Sequence, residues 1–197
     1  MQKKIGVLAL QGDFREHIQI LSVMGIHARE VRLPEHMKGI SGLIIPGGES
    51  TTISKLMELY GLDKAIKAAY KKGMCIFGTC AGAIVIAKKV IGETRFKPLG
   101  IADIEIMRNA YGTQADSFET YLEIRDIGTT AVSFIRAPII KKIGKNVKVL
   151  AEFGGHVVLA RQGRLLIGTF HPEISHETKV HSYFVKMCTE KKVSLHL

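Results

Sequence analysis

The sequence predicts a single-domain α/β protein, a three-layer sandwich with a mostly parallel central sheet and an added antiparallel part. Two observations support this prediction. Apolar runs alternate with amphipathic helical patterns in the first half of the chain, and short strands separated by glycine turns fill most of the second half. A chain of 197 residues is long enough for one domain with a full hydrophobic core and too short for two. We therefore expect one domain over residues 1–197.

Continuous apolar runs in the first half are typical of strands that are buried on both faces of a parallel sheet. The predicted strands are Lys4–Leu10, Ala28–Leu33, Ser41–Pro46 and Met74–Phe77. Between them, apolar residues recur at helical spacing. The first helix begins after Asp13, which can cap it, and ends at Gly25. The other predicted helices are Thr51–Tyr60, Asp63–Lys72 and Ala81–Lys89.

The second half of the chain indicates strands with hairpin turns. The predicted strands are Ile101–Arg108, Thr120–Arg125, Ala131–Arg136, Val147–Phe153, His156–Arg161 and Leu165–Phe170. Gly154-Gly155 and Gln162-Gly163 supply turns between the last three strands. An amphipathic helix over Glu177–Lys191 follows, and its apolar face consists of Val180, Phe184, Met187 and Cys188.

Composition and charge exclude several functional classes. The net charge is +10, but the lysines are scattered in pairs and no basic stripe interleaved with aromatic residues is present, so we expect a solvated surface and no nucleic-acid partner. An acidic protein partner stays open. No apolar run reaches the roughly 20 residues of a membrane span. Three cysteines without an export signal favour a reducing, cytoplasmic location and no membrane.

The segment Gly78-Thr79-Cys80-Ala81-Gly82 joins an apolar strand to a helix. This is the pattern of a nucleophile elbow, a tight turn that needs small residues on both sides of a strained nucleophile. Such a turn lifts the sulfur of Cys80 above the sheet edge, at a helix N-terminus that stabilises a thiolate. It also aims the Ala81 N–H at a developing oxyanion. Cys75 and Cys188 lie within apolar strand or helix faces, so we interpret both as structural.

His171 and Glu173 are the candidate base and its orienting carboxylate. They follow the predicted strand Leu165–Phe170 in the segment Thr169–Glu173, where Pro172 restricts the backbone. The other histidines are interpreted as surface residues. His171, His176 and His181 recur every five residues, a spacing that places them on one face of neither a strand nor a helix, so we expect no metal site.

A second glycine turn, Pro46–Thr52, follows a buried strand and opens a helix. The lysine of a phosphate-binding P-loop is missing. Two interpretations stay open: a plain turn, or a loop that presents the Gly48 N–H to an oxyanion.

In order and spacing, PGGES, GTCAG and HPE resemble the motifs of class I glutamine amidotransferases with a Cys-His-Glu triad. More narrowly, the chain resembles the glutaminase subunits of pyridoxal 5′-phosphate synthase, from residue 5 to about residue 188. The matching segments are Gly6–Gly12, Pro46–Thr52, Gly78–Gly82, Arg108–Gly112, Asp116–Glu119, Phe134–Pro138 and Thr169–Glu173. One departure is Thr113, where this family usually has arginine.

The resemblance implies hydrolysis of L-glutamine by Cys80, His171 and Glu173, with the oxyanion held by Gly48 and Ala81. It implies a glutamine pocket built from Gly48, Glu49, Ser50, Arg108, Ile135 and Arg136. A surface salt bridge is the alternative for the two arginines. Gln11 is placed near the oxyanion region. The resemblance also implies a separate synthase subunit that receives ammonia in a hetero-oligomer, and we expect no cofactor.

Two rival functions stay open at this point. One is a stand-alone amidase, or a glutaminase serving another synthase, against which the segments Arg108–Gly112 and Phe134–Pro138 argue. The other is a catalytically inactive module whose basic surface binds an acidic protein, against which the intact triad argues.

Overall fold

The computed structural model describes residues 4–108 and 117–190. Four strands and four α-helices make up the first half, with a short 3₁₀ helix at Pro34–Met37. The strands are β1 (Ile5–Leu8), β2 (Ala28–Val31), β3 (Gly42–Ile45) and β4 (Cys75–Thr79). The helices are α1 (Phe14–Val23), α2 (Ser50–Leu59), α3 (Leu62–Lys71) and α4 (Ala81–Ile86).

Strands dominate the second half, which ends in a helix. The strands are β5 (Ala87–Ile91), β6 (Ala102–Met107), β7 (Phe118–Ile124), β8 (Gly128–Phe134), β9 (Ile139–Ile143), β10 (Lys148–Phe153), β11 (His156–Gln162) and β12 (Leu165–Gly168). Helix α5 spans Lys179–Thr189. Its predicted apolar face is confirmed, since Val180, Phe184, Met187 and Cys188 are all buried.

The main sheet has the strand order β2-β1-β3-β4-β12-β11-β9-β6-β5, with β10 paired to β11. All pairs from β2 to β12 are parallel, as is the pair β5–β6. The pairs that join β12, β11, β9 and β6 are antiparallel, and β7 and β8 form a separate antiparallel sheet. The predicted parallel sheet with a late antiparallel part is therefore confirmed.

Helices cover both faces of the main sheet. Helices α2, α3 and α4 pack on one face through residues such as Ile53, Leu62 and Ile84. Helices α1 and α5 pack on the other face through Leu21 and Phe184. This produces the expected three layers, and it brings the carboxyl ends of β1, β3, β4 and β12 to one edge of the sheet, where ligands bind in folds of this kind.

Three local features differ from the sequence predictions. The helix predicted over Ala81–Lys89 ends at Ile86, because the chain becomes extended at Ala87 and pairs with β6. Strand β9 was not predicted, because two adjacent exposed lysines follow its two buried isoleucines and the sequence shows no regular strand pattern. Asp13 precedes α1 but makes no capping hydrogen bond with its side chain. In each case a contact distant in sequence determines the outcome.

Within the described residues, no helix is both long and apolar enough to cross a bilayer.

Candidate active site

Cys80 lies in a strained turn between β4 and α4. Its φ of 46° and ψ of −104° are unusual for a residue with a side chain. Its backbone N–H donates to Gly168 O at 2.9 Å, which ties the turn to β12. A Cβ on Gly78 would lie 2.7 Å from the Gly82 backbone, and a Cβ on Gly82 would overlap the Ile45 carbonyl. Because Gly78 and Gly82 have no side chain, the backbone segments around this turn can approach each other closely enough for the turn to form.

His171 is positioned by the backbone and by two carboxylates. The backbone N–H of His171 donates to the backbone carbonyl oxygen of Ser133 at 2.8 Å. Its Nδ1 lies 2.8 Å from Glu173 Oε1 and 3.3 Å from Asp13 Oδ2. Glu173 is 1% exposed, whereas the Asp13 side chain is 37% exposed. The imidazole is therefore held by one buried and one partly solvated carboxylate.

The pKa shifts in this group follow from burial and hydrogen bonding. Burial disfavours the imidazolium, but hydrogen bonds to Asp13, Cys80 and Glu173 outweigh it and raise the pKa of His171 to about 12. Burial also raises the pKa of the Glu173 carboxyl, against the effect of its bond with His171. Both directions fit a proton retained between His171 and Glu173.

The loop at Gly47 and Gly48 passes directly over His171. A Cβ on Gly47 would overlap the His171 ring, and Gly48 has a φ of 141°, which L side chains rarely adopt. Asp13 N donates to Gly47 O at 3.3 Å, and Glu49 N donates to Gln11 Oε1 at 2.7 Å. The peptide that carries the Gly48 N–H is therefore anchored through its carbonyl, and Gln11 lies beside it.

Glu49 and Arg108 form an ion pair at the N-terminus of α2. Glu49 accepts from the N–H groups of Thr51 and Thr52, and Arg108 Nη2 donates to Glu49 Oε1 at 3.0 Å. Burial alone would raise the pKa of Glu49, but the threonine hydrogen bonds lower it to about 2. Arg108 Nη1 also pairs with Glu93. Arg108 is therefore in salt bridges, which was the alternative interpretation from the sequence. The same side chain also lines the cavity that is described next.

A cavity of about 420 Å³ lies in front of Cys80. Eight predicted site residues line it together with Cys80: Gly48, Glu49, Ser50, Ala81, Arg108, Ile135, Arg136 and His171. Glu173 lies behind His171, out of the cavity. The structure thus brings the predicted site residues together, and all of them except Glu173 line a cavity of the size usual for small-molecule ligands.

Asp13 is the site residue that sequence reasoning missed. The prediction treated it as a helix cap, whereas its carboxylate faces His171. With His171 and Glu173 it forms the set of described residues whose ligand atoms lie close enough to hold a metal. His176, one of the three histidines considered in the sequence, is exposed and is not part of this set.

The prediction that the remaining histidines lie at the surface is wrong for His17 and His181. Both are fully buried, with His17 Nδ1 2.9 Å from His181 Nε2. The signal that could have identified them is their place on the apolar faces of α1 and α5. Other predicted features, including residues 109–112, Thr113 and Asp116, lie outside the described residues.

Comparison with solved structures establishes the class of protein. One described as "Crystal structure of glutamine amidotransferase" matches with a TM-score of 0.90 and 46% identity, over 93% of this chain and 98% of that one. PurLQS from Thermotoga maritima shares the fold at a TM-score of 0.74 and 15% identity, over 94% of this chain and 99% of that one. The fold is that of a glutamine amidotransferase.

Sequence relatives narrow the assignment. Two are described as "Pyridoxal 5'-phosphate synthase subunit PdxT". The relative from Thermus thermophilus is 46% identical and aligns with 95% of this chain and 98% of its own. The relative from Dehalococcoides mccartyi is 49% identical and aligns with 96% of this chain and 99% of its own. Residues 7–190 match the SNO glutamine amidotransferase family, and the chain belongs to that family.

Proposed function

We propose that this chain hydrolyses L-glutamine to L-glutamate and ammonia through Cys80, His171 and Glu173. The observation that supports this most directly is the position of Cys80, which sits in a strained turn at the floor of a cavity lined by His171 and the predicted glutamine-binding residues. A glutaminase assay with purified protein, with and without a synthase subunit, tests the proposal.

The geometry supports a two-stage mechanism. The Cys80 thiolate attacks the carboxamide carbon of glutamine, and the Gly48 and Ala81 N–H groups hold the oxyanion. His171 then protonates the departing ammonia and leaves a γ-glutamyl thioester. In the second stage His171 takes a proton from water, hydroxide attacks the thioester carbonyl, and glutamate and the thiolate are released. Glu173 orients the imidazole throughout.

Glutamine recognition is assigned to the polar wall of the cavity. Arg108 and Arg136 supply cations for the α-carboxylate, and Glu49, which remains ionised, supplies an acceptor for the ammonium group. Ser50 Oγ is buried and has no hydrogen-bond partner among the described residues, so a ligand in the cavity can satisfy it. Ile135 also lines the cavity, and its carbonyl oxygen lies 3.9 Å from Cys80 Sγ.

We further propose that the ammonia passes to a separate synthase subunit that makes pyridoxal 5′-phosphate. Two relatives at 46% and 49% identity are described as subunits of that synthase. Ammonia released into water at neutral pH becomes mostly ammonium, which is not a nucleophile. Direct transfer to a bound partner avoids this loss.

Partner binding is expected to raise kcat/KM for glutamine by at least about 10-fold, a barrier change of about 1.4 kcal/mol. The Gly47–Gly48 peptide is the expected gate, because glycine tolerates a peptide flip and one oxyanion donor typically contributes ~10²–10³ in kcat. Such a flip would break the long 3.3 Å hydrogen bond from Asp13 N to Gly47 O. Glutamate release by the isolated chain and by the mixture with the synthase subunit measures the effect. Full-speed turnover by the isolated chain would favour a stand-alone amidase.

Gly48→Val should block this activation without unfolding the protein. Any side chain at Gly48 is strained, and its Cβ would lie 2.6 Å from Gln11 Oε1. Gly128→Val is the matched control, since Gly128 also has a positive φ, 88°, but has open space around it and lies outside the cavity. Equal loss of activation in both variants would show that backbone strain alone is responsible.

Glu173→Gln is expected to lower kcat by about 10- to 100-fold, since a hydrogen bond to a charged group contributes about 1.5–3 kcal/mol. Asp13→Asn should lower kcat by less than about 5-fold, because water can reach this partly solvated carboxylate, 3.3 Å from His171 Nδ1, and replace it. Steady-state kinetics with the synthase subunit present compares the two. An unchanged kcat for Glu173→Gln would remove Glu173 from the mechanism.

A further inference from the structure

A chain of buried polar side chains extends behind the candidate triad into the core. His17 on α1 lies between Glu173 and His181, which is on α5. His17 Nε2 is 3.4 Å from Glu173 Oε2 and 3.2 Å from Thr79 Oγ1, and His17 Nδ1 is 2.9 Å from His181 Nε2. The exposure of these side chains is at most 1%. The chain therefore connects the orienting carboxylate to two helices that do not reach the cavity.

Hydrogen-bond capacity selects one tautomer for each histidine. Burial lowers the pKa of both histidines, that of His181 to about 3, so both are neutral. His181 Nδ1 is buried without a partner among the described residues, which fits an unprotonated nitrogen better than an N–H. His181 Nε2–H then donates to His17 Nδ1. The remaining proton of His17 lies on Nε2, which faces Glu173 and Thr79.

This arrangement places a donor beside the second oxygen of Glu173. Oε1 of Glu173 faces His171, whereas Oε2 is buried without a hydrogen-bond partner among the described residues, and His17 Nε2 lies 3.4 Å from it. The separation exceeds an ordinary hydrogen bond, so the attraction is chiefly electrostatic. In a buried site that attraction is weakly screened by solvent. An apolar side chain at position 17 would fill the same space but would place no polar N–H beside the buried Oε2.

We propose that His17 is a positioning residue for the glutaminase reaction. It acts through Glu173, which it holds in the orientation that aligns His171, and His181 in turn orients His17. This inference rests on the proposed glutaminase function and deepens it, because it extends the catalytic apparatus from the sheet edge to the interface of α1 and α5.

The test measures glutamine hydrolysis with the synthase subunit present. His17→Leu removes the donor and should lower kcat by about 10-fold or more, with KM nearly unchanged because His17 does not line the cavity. His17→Gln should restore most of kcat, since its amide nitrogen can occupy the position of Nε2. His17→Asn should not, since its amide reaches only the position of Nδ1. Equal kcat for the Gln and Asn variants would overturn the proposal.

A double-mutant cycle separates positioning from stability. If His17 acts through Glu173, His17→Leu should cost little in a Glu173→Gln background, whereas independent effects would multiply. Leu21→Ala, on the same helix and fully buried, is the control that lowers Tm without altering kcat. Multiplicative losses, or a His17→Leu enzyme with wild-type kcat, would refute the positioning role.

Failure of the proposed function gives a different result. A wild-type protein that releases no glutamate with the synthase present would contradict the glutaminase assignment itself. In that case the rate of Cys80 alkylation provides the readout for His17, because it depends on the alignment of His171 and not on turnover. An alkylation rate unchanged by His17→Leu would then overturn the positioning role as well. If His17→Leu does not fold, the proposal is tested by comparing His17→Gln with His17→Asn in the same assay.

Discussion

Cys80→Ala is expected to abolish glutamine hydrolysis, with a loss of about 10⁴-fold or more in kcat, the range seen when a nucleophile is removed from a triad. Within the described residues, the other cysteines offer no substitute. Cys75 is fully buried, and Cys188 is 4% exposed on the core-facing side of α5. Cys75→Ala and Cys188→Ala should therefore retain activity. Steady-state glutamate release by the three variants measures the difference.

A diazo-ketone analogue of glutamine gives an independent measurement of the same assignment. It should alkylate Cys80, which lines the cavity, and leave the other two thiols unmodified. Cys75 is a demanding control, because interactions with Cys188 and Arg164 outweigh its burial and lower the pKa of its thiol to about 7. A thiolate at Cys75 without access to the cavity should not react with a glutamine analogue. Modification of Cys75 or Cys188 with Cys80 left free would contradict the mechanism.

His171→Asn is expected to have the second large effect, a loss of about 10³- to 10⁴-fold in kcat, since the variant lacks both the base and the acid of the reaction. It should also slow alkylation of Cys80, because the variant loses the favourable interaction between the imidazole and the Cys80 thiolate. His176→Asn is the matched control. His176 is exposed, and its φ of 55° is one that asparagine tolerates. Wild-type kcat in His171→Asn would exclude His171 as the base.

The fold was largely predictable, because its strands have simple signatures. β1, β3 and β4 are buried on both faces, so they appear in the sequence as unbroken apolar runs. Strand β5 was mistaken for helix because two exposed lysines follow Ala87, a pattern produced by an irregular register with β6. Its conformation depends on a partner strand, which the local pattern does not reveal.

Cys80, Gly48 and His171 share a property that explains why they could be identified from the residues alone, whereas the glutamine-binding residues were implied by the family resemblance. Cys80 and Gly48 need glycine or a strained backbone beside them, and His171 precedes a proline, so each has a local signature. Asp13 and His17 have no such signature. Both lie at or near the start of α1, where an acid appears as a cap and a histidine as one more residue of an amphipathic helix.

The sequence by itself determined the parallel sheet, the tight turn at Cys80 and the candidate triad, because these depend on local patterns of apolar residues, glycine and proline. Its motifs also indicated the family, and the resemblance implied the glutamine-binding residues. The tertiary structure decided which polar groups meet. Packing of α1 against the sheet brings Asp13 to His171 and His17 to Glu173, while α5 brings His181 to His17. These contacts join residues up to 164 positions apart. Burial lowers the pKa of His17 and His181, which keeps both side chains neutral and strengthens the hydrogen bond between them.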